Sequence, residues 1–249
     1  MACYRQKLSL DILSNSDVTA LTGMNQRQIQ TVAKQTAPHR RPGPPTALNH
    51  PARVLLVLVT LRTNLTERAL AALLGVSQPT AHRAITALLP QIAALFDNTI
   101  PDTREHLLLD GTLIPVHDQS ITARSKNYRR SINTQIVATC RKRVVFAGEA
   151  WPGNRNDMMV AKATTHPPAR ITFKADSAYR SLPDTITPPP RTEPKTRQRH
   201  IQTRARIEHV LARMKNWQIL RQCQQKSDAI NQALQAVAYL HNQRISPAT

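Results

Sequence analysis

The sequence predicts an α/β fold in which strands with interspersed helices follow an all-α region. Three observations carry this expectation. Apolar residues keep a helical period through residues 51–95. After "PDT" (101–103) the pattern changes to short apolar runs of strand length, separated by turns and one short helix. Two further helical segments, 198–224 and 227–243, then close the chain.

Taken in order, residues 8–36 are mostly polar with helix-spaced Leu, Ile and Val, which predicts two short helices. "PHRRPGPPTALNHP" (38–51) holds Pro38, Pro42, Pro44, Pro45 and Pro51, too many for a helix or a central strand, and reads as a stiff basic linker. Within "LTERALAALLGVSQPTAHRAITALL" (65–89) the spacing is that of a helix-turn-helix. Ala71 is the small residue where two helices touch, Gly75 takes the turn, where a positive φ is cheap only for glycine, and Val76 and Ile85 face the core. Ser77 caps the second helix and leaves Gln78, His82 and Arg83 on its exposed face. A helix of this size fits the DNA major groove, where Gln and Arg pair with base edges. The expected organisation is an N-terminal helical segment and linker over 1–45, a helix-turn-helix DNA-binding domain over 46–100, and an α/β domain over 101–249.

In the last of these, "HLLLDGTLIPV" and "INTQIVATC" are strand-like, "RKR" (141–143) is a tight basic turn, and "VVFAGEA" is strand-like again. "NDMMVAKAT" (156–164) is a short helix capped by Asn156 or Asp157. "ITFKAD" (171–176) is a fourth strand, and "TITPPP" supplies a short fifth.

Composition narrows the partners. The chain has 34 Lys and Arg against 15 Asp and Glu, a formal net charge of +19. Such an excess repels itself unless a polyanion is near, so nucleic acid is the first partner to consider, and the helix-turn-helix makes it double-stranded DNA. A membrane is the weaker candidate: the longest apolar run, Val54–Leu61, is bracketed by Arg53 and Arg62 and is too short to span a bilayer. "MACYRQKLSL" lacks the apolar core of a signal peptide, and Cys3, Cys140 and Cys223 form neither a disulfide framework nor a CxxC site. A reducing cytoplasmic location, at the nucleoid, is expected.

Three acids stand out in this basic chain. Asp110 sits inside the apolar strand "LLLDGTL", where a charge is desolvated unless it is paired or binds a metal. Asp176 ends the apolar strand "ITFKAD" and is followed by small residues. Glu208 is the only carboxylate between Glu193 and Asp228, an interval rich in Lys and Arg. Singly each has an ordinary explanation: a strand-end residue, a helix cap, and an i,i+4 partner of Arg204. Jointly they match two-metal phosphoryl transfer, in which carboxylates from several elements hold two Mg²⁺ or Mn²⁺ ions. Helix geometry puts Arg204, Glu208, Leu211 and Lys215 in one stripe, beside the apolar stripe of Ile207, Val210, Met214 and Trp217. From that edge Glu208 reaches inward, while Arg204 and Lys215 face phosphates.

The helix-turn-helix, "DGTLIPV", "SKNYRRSINTQIVA", "WPGNRND", "ADSAY" and the last helix together resemble the DDE transposases of bacterial insertion sequences, in the insertion-sequence-five group and its Harbinger-like relatives. The likeness runs from residue 46 to 243. Arg204, Glu208 and Lys215 match that group's Y-x2-R-x3-E-x6-K signature, with Ile201 at the tyrosine position. The resemblance implies a ribonuclease-H-like fold, a mixed five-stranded sheet with helices on both faces. It implies Asp110 on the first strand, Asp176 just after the fourth and Glu208 on a late helix as catalytic metal ligands, with Asp157 of "WPGNRND" as the rival second acid. It also implies an oligomer acting on paired DNA ends. Arg124, Lys126, Arg129 and Arg130, between the first two strands, are expected at DNA backbone, and Trp151 in the core, in a lid or against a DNA base. The expected function is a transposase; the alternatives are a catalytically inactive or domesticated helix-turn-helix DNA-binding protein, and another nuclease of the same fold, such as a resolvase.

Overall fold

The computed structural model describes residues 13–36, 47–124, 130–168, 170–225 and 228–246. Five helices come first: α1 (Asn15–Thr22), α2 (Gln26–Gln35), α3 (His50–Thr63), α4 (Glu67–Leu74) and α5 (Gln78–Ala94). Each starts on a polar cap, Ser14, Asn25, Asn49, Thr66 and Ser77, whose side chain accepts a backbone N–H of the first turn. α3 is apolar on every side, and Val54 to Leu61 are all buried beneath the other four helices. That burial explains the apolar run, and among the described residues no helix is long and apolar enough to cross a membrane. α4 and α5 pack together across a turn at Gly75 with φ 66°; Ala71 and Ile85 are buried, while Val76 packs partly buried against the core.

The strands are β1 (Leu107–Pro115), β2 (Ala123–Arg124), β3 (Arg130–Ala138), β4 (Val144–Ala147), β5 (Trp151–Pro152), β6 (Phe173–Lys174) and β7 (Thr185–Ile186). β1 is antiparallel to β3 and parallel to β6, and β6 is parallel to β7, so the sheet is mixed. β2, β5 and β4 share the outer edge of β3 at successive positions, so seven strands fill five places across the sheet. Helix α6 (Asp157–Thr164) follows, capped by Asn156; then a 3₁₀ turn (Ser177–Tyr179), α7 (Pro194–Met214), a second 3₁₀ turn (Gln218–Leu220) and α8 (Asp228–Ile245).

Strand alternation divides the sheet. Leu108, Ile114, Ile132 and Ile136 face α7, α8 and the helical region in one continuous core. Leu107, Leu109, Val137, Phe173 and Ala175 pack on the other side with Ala161 of α6 and with Tyr179. The helical region and the sheet are thus joined through α8, which packs on α5 and β4. Asn242 of α8 seals the end of β4, accepting from Val144 N–H at 2.9 Å and donating to its carbonyl at 2.7 Å.

The helix predicted over 198–224 ends at Met214, and the chain turns through Lys215 and Asn216. Trp217 is therefore not part of the helical stripe; the turn carries it fully into the core.

Packing disfavours the charged form of three histidines. His200 and His241 each donate Nε2–H to a carbonyl, Ala175 at 3.0 Å and Lys142 at 2.9 Å, and His50 does so to Ala33 at 3.1 Å. Burial is the main cause that lowers all three, and Arg213 and Arg244 add to it at His241. Because their folded values lie below 6.5, the unfolded chain binds more protons as pH falls through that value, and stability drops. Asp110, pushed up to about 6, works the other way and offsets part of the loss. The melting temperature is expected to fall by several degrees between pH 7 and pH 5, and to fall less in His241→Gln; thermal denaturation across that range checks it.

Candidate active site

The register of the parallel pair β1–β6 builds the site. Leu107 pairs with Phe173 and Leu108 with Lys174, so the same offset carries Asp110 level with Asp176, two residues beyond the end of β6. Neighbouring strands lie about 4.8 Å apart and equal offsets in a parallel pair share a face. The two carboxylates therefore stand side by side on the face covered by α7. Asp110 is largely buried; burial pushes its carboxyl up to about 6, the Arg204 guanidinium draws it back, and the charge of Asp176 adds to the rise. Its Oδ1 accepts the Gly111 N–H at 3.0 Å. Asp176 also serves as a cap, its Oδ1 accepting the Ala178 N–H at 2.8 Å.

α7 brings the remaining groups. Ile207, Val210 and Met214 bury one stripe of it, and His200 ties its start to the carbonyl of Ala175, next to Asp176. One turn on, Nη2 of Arg204 lies 3.4 Å from Oδ2 of Asp110 and 3.1 Å from Oε1 of Glu208. Asp110 has 14% of its side chain exposed and Glu208 53%, so the arginine joins a buried acid to an exposed one. Lys215 follows the last turn. Burial and Arg221 lower its ammonium while Asp110 raises it, which sets it within electrostatic reach of the same carboxylate.

Asp157 lies elsewhere. A Cβ on Gly111 would meet Asp157 Oδ1 at 2.3 Å and Gln135 Nε2 at 2.9 Å, so Asp157 packs on the Gly111 side of β1, opposite the face of Asp110 and Arg204. There it accepts from Asn133 Nδ2 at 2.7 Å. Tyr179 donates to Gln135 Oε1 at 2.6 Å, and Gln135 donates to Asn133 at 3.4 Å, completing a buried polar chain from Tyr179 to Asp157. Burial, together with Asp157, Asp110 and Asp176, pushes the Tyr179 hydroxyl well above its ordinary value, so it stays a donor. Tyr179, Asn133 and Gln135 carry no role in the sequence reading. The signal for them is the polar "NTQ" inside an otherwise apolar strand, since buried amides in a sheet centre need partners. Gly111→Ala must displace the Asp157 carboxylate, and a loss of about 1–3 kcal/mol is expected in chemical denaturation.

The other expected contact residues are spread out. Ser77, Gln78, His82 and Arg83 lie exposed on the first turns of α5. His82 is not free there: its Nδ1 lies 2.9 Å from Oε1 of Glu67, across the turn. Arg124 is on β2, and Arg130 begins β3 beside a cleft of about 520 Å³ that His117 and Arg221 also line. Lys126 and Arg129 lie outside the described residues. Trp151 on β5 is partly exposed and pairs with Asn133.

The model of the DDE superfamily endonucleases matches residues 109–242, which span β1 to α8 and hold all four acids. The chain belongs to the DDE family of insertion-sequence transposases. The model for the helix-turn-helix of DDE superfamily endonucleases matches residues 46–97 of this transposase, so its helical region carries a DNA-binding module. The chain is 37% identical over 246 residues to a candidate transposase of the insertion sequence element IS112 from Streptomyces albus G, a match covering 90% of this chain and 93% of that protein. No solved structure matches the transposase significantly.

The family uses divalent metals, and the donor chemistry here suits hard cations. Asp110 and Asp176 lie at equal offsets on the paired strands and their charges act on one another, and a desolvated carboxylate such as Asp110 favours a cation beside it. Among the described residues, however, no three His, Cys, Asp or Glu side chains stand close enough to form a ready ligand set. The aspartate pair fits; Glu208 meets it through Arg204.

Proposed function

We propose that this transposase cuts DNA at the ends of its element and joins the freed 3′ end to target DNA. Asp110, Asp176 and Glu208 would hold two divalent ions, Mg²⁺ or Mn²⁺. The observation that carries this reading is the level placement of Asp110 and Asp176 on the face where Arg204 reaches Glu208. The ions would supply an activated oxygen nucleophile and stabilise the leaving oxygen. The chain's own groups do the rest: Asp110 and Asp176 fix the reaction centre on rigid strands, and Glu208 closes it from a helix. Arg204 and Lys215 bind phosphates on either side, and His200 keeps α7 in register with β6.

The strand order supports a ribonuclease-H-like sheet: the second strand antiparallel to the first, the fourth and fifth parallel to it, and helices on both faces. The helix-turn-helix would read element ends through Ser77, Gln78, His82 and Arg83. Lys126, Arg129 and Arg130 would follow the DNA backbone. An oligomer on paired ends, working in the cytoplasm at the nucleoid, completes the reading. Arg83→Ala is expected to weaken binding to end DNA and to lower the salt slope of binding by about one, measured by titration at several salt concentrations.

The test is incubation with duplexes carrying the element's terminal repeats in Mg²⁺ or Mn²⁺. Metal-dependent nicks leaving 3′-OH ends, followed by joined products, are expected. Absence of cleavage on every terminal sequence with either metal contradicts the reading.

A further inference from the structure

Arg204 stands where its charge is least expected if its role is only to meet DNA. Its guanidinium lies between Asp110 and Glu208, 3.4 Å and 3.1 Å away through the same nitrogen, Nη2. The side chain is 23% exposed, and its Nε is buried with no hydrogen-bond partner. This is a positive group held inside the site by two of its three carboxylates. It keeps Glu208 turned toward itself, and among the described residues no three acids converge.

We propose that Arg204 is a built-in counter-ion that competes with divalent cations for Asp110 and Glu208. The inference rests on the reading of those two acids as metal ligands. A guanidinium between the carboxylates neutralises their repulsion without metal, and an ion entering beside Asp110 meets that fixed positive charge at short range. Loading the site requires the arginine to leave. Binding of an anionic phosphate to Arg204 draws it in that direction, so DNA and metal bind with positive coupling. Arg204 acts as a positioning residue: it orders the loading of the site and touches no reacting atom while it bridges the acids.

The experiment is Mn²⁺ titration by calorimetry on the full chain without DNA, comparing wild type, Arg204→Gln, Arg204→Lys and Asp110→Asn/Arg204→Gln, with melting curves in EDTA as a second readout. Arg204→Gln is expected to bind Mn²⁺ about tenfold tighter than wild type, in the usual range of a coupling between two ligands. It should melt lower in EDTA and recover with Mn²⁺. Arg204→Lys keeps the charge and should stay near wild type. If Arg204→Gln does not fold, Arg204→Met keeps the buried stem and takes its place. Equal or weaker Mn²⁺ binding in the neutral variant, with the double variant losing binding, overturns the competition and leaves the metal site standing. Unchanged tight binding in the double variant overturns both, because the ion then does not sit at Asp110.

Discussion

Asp110→Asn is expected to lower strand cleavage by about 10³-fold or more while leaving the fold intact, because on the proposed reading it removes the charge of a metal ligand from a metal-dependent reaction. The amide keeps the oxygen that accepts the Gly111 N–H and fills the same space on β1. What disappears is the negative charge beside Asp176. Burial already disfavours that charge in the folded chain, raising its carboxyl to about 6, so a neutral group relieves desolvation while losing the long contact to Arg204. The melting temperature is therefore expected to hold or rise as activity vanishes. That pairing separates a chemical role from a structural one. Cleavage of end DNA and a melting curve on the same preparation measure both, and parallel loss of activity and stability would show Asp110 to be structural.

Trp217→Ala has the largest expected effect on stability, about 3–5 kcal/mol. Trp217 is fully buried at the turn after α7, in the core that joins the helical region to the sheet. Arg62, at the end of α3, lies over its ring at 5.8 Å and donates to the Asn216 carbonyl at 2.8 Å. Truncation removes the ring's contacts, leaves a cavity between two parts of the chain and strips the cation–π partner from Arg62. Denaturation in urea should show a lower midpoint. A loss below about 1 kcal/mol would mean that the core collapses around the gap.

Much of this arrangement was legible in the sequence, for reasons specific to each element. The caps Asn156 and Ser77, the turn glycine Gly75 and the burial of Ala71 and Ile85 follow from local rules, and the structure has them. The stripe of α7 followed from a 100° rotation per residue, which is why Arg204 and Glu208 fall together. β2 and β5 could not be read: each is a two-residue edge strand whose pairing is set by β3, not by its own pattern. The end of α7 was missed because Lys215 and Asn216 carry no proline or glycine to mark it, and burial of Trp217 makes the turn. The sequence puts Asp176 first and Asp157 as its rival, since Asp176 ends a strand while Asp157 opens a helix that Asn156 caps. It is the offset between β1 and β6, a long-range property, that sets Asp176 level with Asp110 and leaves Asp157 across the sheet.

The central claim is that the catalytic acids share the α7 face of the sheet, and it predicts opposite fates for two similar substitutions. Strand cleavage of terminal-repeat DNA by Asp176→Asn and Asp157→Asn, assayed side by side with Mg²⁺ and Mn²⁺, tests it most directly. Asp176→Asn should be inactive, and Asp157→Asn, which keeps an oxygen for Asn133, should stay within about tenfold of wild type. An inactive, folded Asp157→Asn beside an active Asp176→Asn would contradict the claim and move the second acid to the other face.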